Sequence, residues 1–163
     1  MREVVRQALD ALIAARRAIW LEEPPELGSL WTKKGARNQG ATTLIRATRR
    51  LAELSTTMHR LRAVARQSEP DLSTLKVMTA STLAFYADYF GGDYYGMRQF
   101  PEVLHRAKEA VSAVDTLEDY RMLADELTLY TSRMDLWVFD VMIPWSKFGE
   151  TFDRVAAQRV AKG

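Results

Sequence analysis

The chain contains no cysteine, so disulfides, thiolate metal sites, iron–sulfur clusters and a cysteine nucleophile drop out together, and a reducing, cytoplasmic location is the expectation. Histidine is nearly as scarce, with His59 and His105 the only two, which leaves few bases for proton transfer or metal ligation. Glycine and proline are sparse at 8 and 5 residues, which excludes collagen-like and low-complexity chains. No run approaches the roughly 18 apolar residues of a membrane span. The opening segment MREVVRQALDALIAARRAIW carries charge throughout and lacks the apolar core and small-residue cleavage site of a signal peptide. No membrane partner is expected.

What is present fits one globular domain over residues 1–163, with 47% hydrophobic and 27% charged residues and enough length to bury a core. The net charge is +2, but residues 1–70 hold 13 Lys/Arg against 7 Asp/Glu, whereas residues 71–163 hold 10 against 14. That asymmetry suits a phosphate-bearing partner or head-to-tail stacking of copies.

Apolar residues recur at helical spacing and nowhere alternate like a strand, so the expected fold is all-α, a single-domain helical bundle of five to six helices. A first helix is predicted over 2–21, stopped by Pro24 and Pro25, with an irregular basic loop at about 23–40. A second spans 41–67, where Leu44, Ala47, Leu51, Leu54, Met58, Leu61 and Ala65 form one buried stripe. A third covers 71–91, N-capped by Asp71 and carrying the aromatic pairs Phe85/Tyr89 and Tyr86/Phe90, read as core. The turn GGDYYG follows. A fourth covers 101–114 with Pro101 at its first position. A fifth covers 117–139, opened by Asp115 and Thr116 and packed through Tyr120, Leu123, Leu127, Tyr130, Met134 and Trp137. Beyond Pro144 a last helix is predicted over 146–161.

Little in the sequence points to catalysis. The segment from Gly35 to Gly40, Ala41 and Thr42 has the outline of a P-loop, but Ala41 stands where the phosphate-binding lysine belongs and no strand precedes it. Glu102 and His105 have the spacing of half a di-iron site, but His59 has Thr56 three residues before it, so the second half is missing. No hydroxyl stands beside a base at a recognised spacing. The expectation is therefore a protein that is not an enzyme, with no catalytic residues, metal or cofactor.

The second helix carries the stronger signal. Arg46, Arg49, Arg50 and Arg60 fall about 140–240° from Leu44 on a helical wheel and share the face away from the core. Arg62 and Arg66 lie at the edge of the stripe, and Glu53 is the only acidic residue among them. With Lys33, Lys34 and Arg37 in the preceding loop, these residues are candidate phosphate contacts, since arginine offers paired donors to an anion.

The runs ATTLIRATRRLAEL, LKVMTASTLAFYADYFGG and FPEVLHRAKEAVSAVDTLEDYRMLADELTLYTSRM resemble the helical small subunit of CRISPR effector complexes, particularly of type III. The matching positions are Thr42, Thr43, Ile45 and Arg46, then Leu75, Lys76, Leu83, Ala84, Phe85 and Tyr86, within about residues 41–135. The resemblance implies a non-catalytic, antiviral-defence subunit of an RNA-guided ribonucleoprotein, stacked with copies of itself and with other effector subunits. It further implies contacts to the backbones of guide RNA and target nucleic acid, with sequence read by base pairing. The rival reading from the residues is a helical scaffold that self-assembles or binds an acidic protein partner.

Overall fold

A computed structural model describes residues 1–19, 34–91 and 99–137, giving the backbone alone for 34–45 and 47. Five helices lie in these stretches: α1 (Glu3–Ala18), α2 (Lys34–Ala65), α3 (Leu72–Tyr89), α4 (Gln99–Ser112) and α5 (Leu117–Trp137). The all-α expectation is met, and no strand occurs among the described residues. None of these helices is long and apolar enough to cross a membrane.

Local chemistry sets the helix ends. The Asp71 carboxylate accepts from the Ser73 backbone N–H at 3.1 Å and from the Thr74 hydroxyl at 2.6 Å, capping α3 as expected. The Thr116 hydroxyl accepts from the Asp119 N–H at 3.1 Å and caps α5. Glu69 takes a left-handed φ of 56° as the chain turns toward Pro70, a conformation uncommon outside glycine.

Two boundaries differ from expectation. α2 is already helical at Lys34, so residues 34–40 are not irregular. The Ala-Arg-Asn-Gln run between the two glycines has no proline to break it, and its cost for Gly35 and Gly40 is about 1 kcal/mol each. The chain of α4 is already helical at Gln99, so Pro101 is not its first residue; a ring lacking an N–H is tolerated in a first turn, where backbone N–H groups have no intrahelical acceptor. The rest of the basic loop, residues 23–33, most of the GGDYYG turn and the helix predicted over 146–161 lie outside the described residues.

The helices pack as a ring in the order α1, α4, α3, α2, α5 and back to α1. Their inward stripes form one core, in which Leu51, Leu54, Met58, Leu61 and Ala65 of α2 meet Leu123, Leu127, Tyr130, Met134 and Trp137 of α5. Phe90, at the end of α3, packs edge-on against Phe100 at 5.1 Å, and Phe100 lies 5.8 Å from Tyr130. The aromatic turn of α3 is only partly core: Tyr86 and Phe90 are buried, whereas Phe85 is 54% exposed. Successive residues point about 100° apart, so Phe85 and Tyr86 cannot both face inward.

Candidate functional site

α2 and α5 run antiparallel, and their sequence-distant polar side chains meet along one edge. At one end the Ser55 and Ser132 hydroxyls lie 3.1 Å apart, and Ser132 is in turn 3.1 Å from His59 Nε2. Further along, Thr128 donates to the Ala124 carbonyl within α5 and, at 3.4 Å, to that of Met58 across the seam. Then one carboxylate serves two arginines: Arg62 Nε donates to Asp125 at 2.6 Å, and an Arg66 guanidinium nitrogen spans both carboxylate oxygens at 2.7 and 2.8 Å. Arg121 Nε closes the seam by donating at 2.8 Å to the Ala65 carbonyl, at the end of α2, where unpaired carbonyls and the helix dipole favour a cation. Arg66, Glu118, Arg121, Met122 and Asp125 line a surface cleft beside this cluster.

Partial burial pushes the Asp125 carboxyl upward, but hydrogen bonds and charge from Arg66 and Arg62 outweigh it and hold the group below its ordinary value of 3.8. A depressed folded-state value contributes stability that is complete above the ordinary value and disappears as pH falls through the depressed one. Asp125→Asn is therefore expected to flatten the acid limb of the stability curve. Urea unfolding from pH 7 to 3 tests this: below about pH 4 the wild type should lose stability more steeply than the variant, and parallel acid limbs would refute the assignment.

A second seam joins α2 to α3. Arg50 donates to Glu53 at 2.9 Å and lies 5.4 Å over the Tyr89 ring, while the Tyr86 hydroxyl reaches Glu53 at 3.3 Å. Burial, then the Glu53 charge, raises the Tyr86 hydroxyl above its usual range. A third contact joins α1 to α5, where Arg16 and Glu126 approach to 3.5 Å with side chains about one-fifth exposed.

The four arginines expected on one outward face divide between solvent and α3, and the two expected at the edge of the stripe lie against α5. Arg46, Arg49 and Arg60 are exposed. Arg50 turns toward α3, and Arg62 and Arg66 turn toward α5. Lys34 and Arg37 lie on the first turn of α2, their side chains outside the described set, as is Lys33 altogether. Glu102 is engaged by Arg106 at 3.0 Å, and no group of three His, Asp or Glu gathers as a metal site among the described residues. The Ser132–His59 contact brings a hydroxyl to a base that sequence spacing did not connect, because 73 positions separate the two.

A closed ring of amphipathic helices whose polar groups sit at the seams defines a helical bundle domain. The chain belongs to the family described as the cucumopine synthase C-terminal helical bundle domain, whose model matches residues 5–141. No curated protein and no solved structure matches it. The family assignment overturns the CRISPR small-subunit resemblance, and with it the guide- and target-RNA-binding, antiviral role drawn from it. The quoted runs are apolar spacings that any amphipathic bundle supplies, and the seam contacts of Arg50, Arg62 and Arg66 account for three of the six arginines between residues 41 and 67 without a phosphate.

Proposed function

We propose that this chain is the helical partner of a catalytic unit, docking against it and leaving bond chemistry to that unit. The observation that carries this reading is the outer face of α3. Val77, Met78 and Phe85 are 64%, 53% and 54% exposed, and Ser81 shares their side of the helix. From Leu72 to Ala87 the only charged residue is Lys76, and its ammonium donates away from that face to the Val114 carbonyl at 2.5 Å. The face is uncharged over its first four turns and ends at the exposed Asp88, and an apolar stretch of this kind suits a protein interface better than open solvent. The family description supports the same reading, since a C-terminal bundle of a synthase has a further part of that enzyme to pack against. The hydroxyls, carboxylates and guanidinium groups at the seams serve helix–helix contacts.

The test mixes the purified chain with a cucumopine synthase lacking its own C-terminal bundle and measures binding by calorimetry. Saturable binding is expected, weakened about tenfold or more by Val77→Glu with Phe85→Glu, since apolar anchors at the centre of an interface dominate its energy. The isolated chain is expected to form no cucumopine. Turnover by the chain alone, or binding indifferent to the two substitutions, would overturn the proposal.

A further inference from the structure

The contacts between α2 and α3 fix which flanks of the two helices border their outer groove. Glu53 accepts from the Tyr86 hydroxyl, and Arg50 lies over the Tyr89 ring. A straight helix drifts only about 20° per seven residues, so Arg46 and Arg60, seven residues before and after Glu53, stand almost in line with it on the edge of α2 that borders α3. Arg49, four residues before Glu53, and Val64, four beyond Arg60, share that side. On α3, Phe85 is four residues before Tyr89 and Met78 seven before Phe85, so both lie on the flank that borders α2. The helices are antiparallel, since Tyr86 meets Glu53 and Tyr89, three residues on, meets Arg50, three residues back. Counting from these contacts, Met78 stands level with Leu61, beside Arg60 and Val64.

One wall of this groove is apolar and the other cationic. Met78 and Phe85 on α3 are more than half exposed, and Val64 of α2 is 41% exposed. Arg46, Arg49 and Arg60 are exposed, with no ion pair or hydrogen bond among the described residues. Glu53, the carboxylate on this edge of α2, is already shared by Arg50 and the Tyr86 hydroxyl. Asp88 stands at the end of the α3 face, so with Arg50 counted four arginines face two carboxylates and the groove keeps an excess of positive charge. We infer, resting on the docking proposed above, that the segment of the catalytic unit that covers this groove carries an apolar stripe flanked on one side by carboxylates. The stripe lies on Met78 and Phe85 of α3, and the carboxylates meet Arg46, Arg49 and Arg60 of α2. A wholly apolar occupant would take guanidinium groups out of water with no counter-charge, and a basic one would set like charges together; both are costly.

The two walls predict different kinetic signatures, because rim charges steer encounter whereas truncated apolar contacts act mainly on dissociation. The test follows association and dissociation of the chain with a cucumopine synthase lacking its own C-terminal bundle, by surface plasmon resonance across a salt series. Association of the wild type is expected to slow as salt rises. Arg46→Glu with Arg60→Glu is expected to slow association about tenfold or more at low salt and to flatten that salt dependence. Met78→Ala with Phe85→Ala is expected to quicken dissociation and to leave the salt dependence of association unchanged. Arg17→Glu, an exposed position on α1 across the ring, supplies a charge change away from the groove. All of these positions are exposed, and unchanged melting curves establish that each variant folds. Association indifferent to salt and to the two arginines, with dissociation still quickened by Met78→Ala and Phe85→Ala, would overturn the inference and leave the docking itself standing. Slowing by Arg17→Glu as large as by the groove arginines would overturn it too, as an effect of net charge alone. No association under any condition would remove the docking and the acidic flank together.

Discussion

Replacing Phe100 with alanine is expected to lower the unfolding free energy by about 3–5 kcal/mol, the range for truncating a large buried aromatic. Phe100 is 1% exposed and lies where three helices converge, edge-on to Phe90 and beside Tyr130. Its removal leaves a void walled by α3, α4 and α5, and no one of them can move in to fill it without parting from the others. For a domain whose whole stability is of order 5–15 kcal/mol, that is a large share. Phe85→Ala supplies the contrast: the side chain is more than half exposed, so the change should stay within about 0.5 kcal/mol. Urea titrations of the two variants, read at constant slope, measure the difference. Equal losses would mean that the division of the α3 aromatics between core and surface is wrong.

The second large effect concerns a polar pair inside the core. The Thr79 and Tyr120 hydroxyls lie 2.6 Å apart and both residues are essentially buried, joining the middle of α3 to the first turn of α5. Burial raises the Tyr120 hydroxyl above its usual range, and the Thr79 hydrogen bond acts in the opposite sense. Thr79→Val keeps the shape but leaves the phenol without its partner, at a cost of about 1–3 kcal/mol; Tyr120→Phe strands the threonine similarly. With both changes no unpaired group remains, and the double variant should recover much of the loss. A double-mutant cycle measures this coupling. Additive losses would show that the two hydroxyls act independently.

Most of the fold was legible in the sequence. The stripe from Leu51 to Ala65 and that from Tyr120 to Trp137 each keep a helical period over several turns, and both are buried along their length. Phe85 was misplaced because i,i+4 pairing marks two neighbouring aromatic lines on α3 without saying which one α2 and α4 cover. The polar seam was out of reach of spacing arguments altogether. Asp125 lies 59 to 63 positions from the arginines it binds, and only the docked register of α2 on α5 brings them together. The same limit explains the mistaken family: apolar periods and an arginine-rich face describe a bundle helix in general, whereas membership rests on the whole pattern over residues 5–141.

The order of helices around the ring bears on how the chain folds as it is made. α3 and α4 are consecutive and form an antiparallel pair, a local arrangement of the kind that forms early and fast. α5, last of the five along the chain, is the element that joins α1 to α2. Until it leaves the ribosome, α1 and α2 have no neighbour for the sides that will face it, and Leu51, Leu54 and Met58 stay wet. Nascent chains stopped before Leu117 should therefore recruit chaperones that bind apolar segments, and chains extended past Trp137 should release them.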